Sequence, residues 1–355
     1  MAEHVQPSIR AVGTALPPHH ASQEEIVAAL RDAWGRAHYN LERLEDLHRA
    51  VQVNGRYLAL PLEAYADLTS FGRANDAFIA AALDVGEQAL AGALAQSGLA
   101  PDELDHLLFV STTGIATPSL DARLVNRLGL RRDIRRTPVF GLGCAAGAGG
   151  VARAADYLRA YPGRTAAVVS VELCSLTLQR EDLSIPNIIA SGLFGDGAAA
   201  VILAGADRHE SGPRVVDSVS VHYPDTERVM GWDVVESGLK IVLSARVPEV
   251  VRAHVGDDVD RFLAGHGLER DDIAHWVAHT GGPRVLEAFR EALGLDDQAL
   301  ERSWRSLREM GNVSSTSVLF VLAEFLSDGA TRPGDLGVMA AMGPGFASEL
   351  VLLRW

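Results

Sequence analysis

Cysteine is nearly absent: the 355 residues hold two, Cys144 and Cys174. A secreted scaffold of this size rarely rests on one bridge, so both read as reduced thiols of a cytosolic protein. Positive charge is also short. Lys and Arg number 32 against 46 Asp and Glu, a formal net charge of −14. That argues against nucleic acid as the main partner, which needs a basic face. Long apolar runs are missing as well. The stretch 198–206, among the longest, falls far below the roughly 20 residues of a bilayer-spanning helix. Residues 1–12 include Glu3 and Arg10 and show no apolar secretion-signal core, so no membrane association is expected. Low-complexity segments and short-period repeats do not stand out.

What is present is a globular composition, 48% apolar and 22% charged, enough for a sizeable core. The length suits two domain-sized units or one duplicated α/β domain. Strands are expected at 8–14, 106–111, 138–142, 165–171 and 198–203, with helices at 23–34, 76–97 and 144–157. The second half repeats the idiom, with strands at 272–278, 337–342 and 348–355 and helices at 283–293 and 313–327. Such alternation predicts α/β architecture with buried, largely parallel strands. A polar, turn-rich stretch at 208–213 (RHESGP) is expected to divide the halves, 1–210 and 211–355.

The segment GLGCAAGAGG places Cys144 where an apolar strand runs through glycines into a helix of small residues. Free backbone N–H groups and the positive helix end beside the sulfur would favour thiolate, the nucleophilic form. On this segment alone, a nucleophile and a small buried core cysteine are equally good readings. Two residues in the second half resemble partners for it. His279 follows an apolar strand and precedes a Gly-Gly-Pro turn, and Asn312 stands where a turn becomes an apolar helix. Taken singly, the first fits a satisfied loop histidine and the second a helix cap. All three at helix entrances form a Cys/His/Asn set with the parts acyl transfer needs.

Six strings extend the pattern along the chain: VSTTG from Val110, GCAAG from Gly143, LFGDGAAA from Leu193, HTGGP from His279, GNVSS from Gly311 and GPGF from Gly343. In that order they resemble the type III polyketide synthases, chalcone synthase-like enzymes of the thiolase fold. The resemblance implies two related αβαβα halves, a homodimer, and CoA thioesters as substrates with no cofactor. In that scheme Cys144 carries the acyl group. His279 activates it and donates to the thioester oxygen, and Asn312 helps His279 promote decarboxylation of malonyl-CoA. Phe194 becomes an apolar lid over the cysteine. Thr113, Gly281 and Gly282 fall in the matched strings, and Arg56 is a candidate for a basic CoA mouth beside the run Arg131, Arg132, Arg135 and Arg136. For any single arginine the plainer reading is a solvated surface charge.

Departures from the plant pattern lie where the pocket is expected. Ile241 stands at a gatekeeping phenylalanine, Met342 at an aromatic, Cys174 at a pocket threonine, and Thr117 at the methionine that the partner subunit inserts. Bacterial alkylpyrone and alkylresorcinol synthases look similar here, which implies a tunnel for a long fatty acyl starter. The contender within the family makes tetrahydroxynaphthalene from malonyl-CoA alone and shares the VELCSL string. A ketoacyl-ACP synthase III is disfavoured because Thr280-Gly281-Gly282 follows the histidine. A 3-hydroxy-3-methylglutaryl-CoA synthase needs a glutamate near the cysteine, and none is evident in the sequence. An inactive acyl-binding protein would have little reason to keep Cys144, His279 and Asn312 together.

Overall fold

Strands β6 (Thr165–Leu173) and β7 (Asp196–Ala204) are buried along their whole length. Chain rich in Val and Ala with helices on both faces reads this way, and these strands lie in the middle of one half of the molecule. The computed structural model describes residues 6–34, 41–208 and 211–355. The other strands are β1 (Ser8–Ala15), β2 (His19–Ser22), β3 (Gly55–Leu58), β4 (His106–Val110), β5 (Arg135–Val139), β8 (Arg214–His222), β9 (Met230–Val235), β10 (Gly238–Leu243), β11 (Ile273–Ala278), β12 (Leu336–Gly343) and β13 (Ala347–Arg354). The helices are α1 (Gln23–Trp34), α2 (Leu41–Ala50), α3 (Phe71–Ser97), α4 (Leu120–Leu128), α5 (Ala146–Ala160), α6 (Ile185–Leu193), α7 (Val247–Ala264), α8 (Pro283–Leu293), α9 (Glu301–Met310) and α10 (Ser317–Ser327).

Strands β5-β4-β6-β7-β1 form the sheet of the first half and β8-β13-β12-β11 that of the second. One register pair, Ser8 with Arg214, joins them into a nine-stranded sheet. Ile9 N–H donates to Pro213 O and Val215 N–H to Pro7 O across this seam. Strand alternation then sorts the core. Leu108, Val168, Val201, Val277, Met339 and Val351 face α5 and α10, which touch each other between the halves. Their sequence neighbours face outward. Leu107, Val169 and Ile202 pack under α3 and α4, while Trp276, Val338 and Leu352 pack under α7 and α8. The result is five layers, α-β-α-β-α, the thiolase-like arrangement of two related halves.

The sheet is mixed, which corrects the expectation of largely parallel strands. Only β11–β12, β4–β6 and β4–β5 run parallel, and the other neighbours are antiparallel. Between β12 and β13 only Pro344, Gly345 and Phe346 intervene, too few for the crossover that parallel pairing needs. In the expected dividing stretch, His209 and Glu210 lie outside the described residues. By length and composition α3 could cross a membrane, a candidate that a search for unbroken apolar runs passes over. Phe78, Ala82, Val85, Ala89 and Leu90 of that helix are buried, packed in the core of the first half.

Candidate active site

Between β5 and α5 the chain makes a 3-10 turn, Gly143–Ala145, with Cys144 at its centre. Two glycines fix this seat. Gly143 has φ +49°, and a Cβ there would stand 2.4 Å from Cδ of Pro344. At Gly147 a Cβ would stand 2.1 Å from the Ser315 carbonyl oxygen. The helix behind the cysteine thus meets backbone of the other half, at the turn Ser314–Thr316 that opens α10. Through this contact the Cys144 thiol donates to Ser314 Oγ at 3.6 Å.

The buried thiol is not poised as thiolate. Burial pushes Cys144 up to about 12 against the pull of the Ser314 hydrogen bond, and nearby Glu172 adds a smaller upward push. This corrects the expectation from the turn alone, because desolvation outweighs the favourable helix start. His279 caps β11, with its backbone N–H bonded to Ala340 O of β12. Burial pushes its imidazole down to about 4, so it is neutral, and its buried Nδ1 has no hydrogen-bond partner among the described residues. Asn312 forms an isolated bridge with Phe194: its N–H donates to Leu193 O at 2.9 Å and its C=O accepts from Gly195 N–H at 3.0 Å. Its side-chain oxygen accepts from Ser314 N–H at 2.8 Å. That ties the LFGDG and GNVSS strings to each other and to the turn that meets Cys144.

Glu172, which the sequence reading passed over, lies fully buried within electrostatic reach of both cysteines. Its carboxylate accepts from Thr112 N–H and Thr113 Oγ1, each at 3.0 Å, and from Ser315 Oγ at 2.5 Å. Burial raises its pKa despite these donors. The apolar strand VVSVEL was the available signal, since a buried carboxylate demands partners. Those partners are 59 or more residues away in sequence, so spacing could not name them.

A cavity of about 610 Å³ is lined by Cys174, Phe194 and Ile241, together with Trp232, Trp34 and Tyr65. Arg56 also borders it, but not as a basic mouth. The side chain is 2% exposed, donates to Gln23 Oε1 at 2.8 Å, and donates to the Ser191 and Gly192 carbonyls. Of the surface run, Arg131 pairs with Asp105 and Asp133, Arg136 with Asp121, and Arg135 lies over Tyr157 and Tyr161. Thr113 is buried against Glu172 and does not line the large cavity. Met342 lies in the apolar cluster of the second half, with Tyr223 and Phe346. Gly281 and Gly282 shape the turn after His279, Gly282 at φ +123° with its N-terminal neighbour's N–H bonded to His279 O. Thr117 is exposed and lies outside the cavity of its own chain.

Comparison with known proteins agrees with this architecture. Residues 2–208 match the family described as chalcone and stilbene synthases, N-terminal domain, and residues 214–355 match its C-terminal domain. The chain is 49% identical over 351 residues to 1,3,6,8-tetrahydroxynaphthalene synthase of Streptomyces peucetius subsp. caesius, covering 98% of this chain and 93% of that one. It is 35% identical over 360 residues to 3,5-dihydroxyphenylacetyl-CoA synthase of Streptomyces toyocaensis, covering 99% and 90%. Among solved structures, tetrahydroxynaphthalene synthase of Streptomyces coelicolor superposes with a TM-score of 0.93 at 31% identity, over 98% of this chain and 99% of that one. The polyketide synthase PKS-I of the brown alga Ectocarpus siliculosus gives 0.92 at 29% identity, over 99% of each. Two matched domains end to end, relatives of this closeness and a shared five-layer fold place the chain in the chalcone and stilbene synthase family, as a type III polyketide synthase that condenses malonyl-CoA.

Proposed function

We propose that the enzyme primes with malonyl-CoA alone and builds an aromatic pentaketide of the 1,3,6,8-tetrahydroxynaphthalene kind. The observation that carries this reading is the 49% identity, over 98% of the chain, to a synthase of that name. Five two-carbon units supply the ten carbons of a naphthalene, and each is left behind when a malonyl group loses CO₂. The earlier expectation of a long fatty acyl starter becomes the second reading. It keeps one support, the apolar wall that Leu30, Leu58, Leu176 and Ile241 give the cavity.

In this scheme Cys144 attacks the thioester, His279 takes its proton, the bond to the CoA sulfur breaks with CoA leaving as its thiolate, and the acyl group rides on the Cys144 sulfur. At rest the pair is thiol and neutral imidazole, so the proton moves as the substrate arrives and not before. The unpartnered nitrogen of His279 then has a role. Once the ring is protonated, it and the Asn312 amide NH₂ can donate to the enolate oxygen that decarboxylation of malonyl-CoA leaves. Phe194, fixed to Asn312 by the backbone bridge, separates this centre from the cavity. A second copy of the chain is part of the proposal. Strand β5 is the edge of the first half's sheet, exposed Phe140 (57% exposed) follows it, and exposed Thr117 lies in the segment after its parallel neighbour β4. A cytosolic location follows from the same reading of two reduced thiols.

Incubation with malonyl-CoA as sole substrate, read by mass spectrometry, tests the starter. An aromatic ten-carbon product supports the proposal. Product formed only when a long-chain acyl-CoA is added refutes it and leaves the second reading.

A further inference from the structure

Hairpin β9–β10 gives the cavity two of its walls, Trp232 and Ile241, which face each other in register. Yet among the described residues this hairpin is a separate two-stranded sheet, with no ladder to the nine-stranded one. Side chains must therefore hold it. Gln179 Nε2 donates to Leu239 O at 3.3 Å, and Ser237 Oγ donates to Gln179 Oε1 at 2.5 Å. Lys240 Nζ pairs with Asp182 Oδ2 at 3.2 Å.

All three contacts come from one short segment, residues 178–184, which is itself tied to the other walls. Asn187 of α6 donates to Gln179 O at 2.8 Å and Asp182 O at 2.7 Å. Arg180 donates to Ala66 O at 2.6 Å, and its own carbonyl accepts from Trp34 Nε1 at 2.6 Å. The segment thus joins α1, the turn at 65–66, α6 and the hairpin around one cavity. Lys240 is the only lysine in the chain. Its ammonium leaves the hairpin on the side opposite Leu239 and Ile241, so it touches no substrate.

We propose that residues 178–184 are a clasp, and that the Lys240–Asp182 pair is a positioning contact that sets how far the growing chain extends. The idea rests on the polyketide synthase reading but not on the identity of the product. With the pair broken, the hairpin samples outward positions, Trp232 and Ile241 no longer fold the chain back, and it leaves early as shorter lactones. The centre at Cys144, set apart from the residues that line this cavity, keeps its chemistry.

The test compares parent, Lys240→Ala, Asp182→Asn, Lys240→Arg and the charge swap Lys240→Asp with Asp182→Lys, each given malonyl-CoA. The readouts are product ratio by mass spectrometry, CO₂ release and thermal midpoint. In the two broken variants the share of shorter products should rise about fivefold, the scale of one partly exposed ion pair, with CO₂ release unchanged. Lys240→Arg and the swap should behave as the parent. Acetylating amines offers a second route that needs no refolding: it should shift the parent's ratio and leave Lys240→Arg alone. Unchanged ratios in Lys240→Ala, or CO₂ release falling in step with any shift, overturn the clasp. The parent's own product tests tetrahydroxynaphthalene formation separately, since the clasp is read only from variant against parent.

Discussion

Gly147→Ala is the smallest change that tests how the proposed nucleophile, Cys144, is seated. The added methyl would stand 2.1 Å from the Ser315 carbonyl oxygen and 2.7 Å from Val318 Cγ1. Ordinary contact begins near 3.4 Å, so α5 and the turn at 314–316 must part by about 1.3 Å along that direction. Both neighbours belong to buried backbone or a buried side chain and cannot swing aside. Overpacking of this kind costs about 1–3 kcal/mol, which for a chain of this length lowers the midpoint by about 1–4 °C. The effect on chemistry should be larger. Separation carries Cys144 away from Ser314 and from the Asn312 loop, and a displacement of about 1 Å can cost about a hundredfold in rate. Malonyl-CoA decarboxylation by the folded variant, measured well below its midpoint, should fall by about that factor. A variant that melts within a degree of the parent and releases CO₂ at the parent's rate would refute the reasoning, because the two helix starts would then not be in contact.

Asn312→Ala should lower CO₂ release from malonyl-CoA by about a hundredfold, about 3 kcal/mol for one donor lost from such a site, while acyl loading on Cys144 survives; normal decarboxylation would reduce the residue to a backbone bridge. Iodoacetamide alkylation of Cys144, followed in a Cys174→Ser background, should rise about tenfold per pH unit from 7 to 9 without levelling. Its thiol is pushed up to about 12, so the thiolate fraction keeps growing throughout that window. A plateau near neutral pH would restore the thiolate expected from the helix start. Cys174→Phe should fill part of the cavity and shift any use of acyl-CoA starters from long to short chains, read as product ratios against the parent; an unchanged preference would separate Cys174 from the starter.

The sequence spoke most clearly where local signals agree. Gln23–Trp34 and Pro283–Leu293 are helices with the bounds expected of them, the second opened by proline and closed by Gly294. The strand-to-helix turn that seats Cys144 was legible because small residues mark close backbone approach. Its protonation was not, since burial depends on α10 and β12 from the other half. Hairpin β9–β10 was missed although Ser237-Gly238 between two apolar runs is a turn signal. Helices α7 and α9 were missed too, the latter being charged on most of its surface. Glu172 shows the limit: its type and its strand were readable, but a cage of hydroxyls gathered from two halves was not.

The bond between Cys144 and Ser314 spans 170 residues, and this has a kinetic consequence. Contacts so far apart in the chain are slow to close, because loop entropy is lost before the contact stabilises anything. During synthesis, α5 emerges long before α10, against which it is destined to pack. Until residue 317 leaves the ribosome, the inner face of the first half has no cover. That face is Ala- and Gly-rich along α5, so its exposed apolar area is small for a helix of its length. A nascent chain can wait in that state with less drive to aggregate than a leucine face would give it.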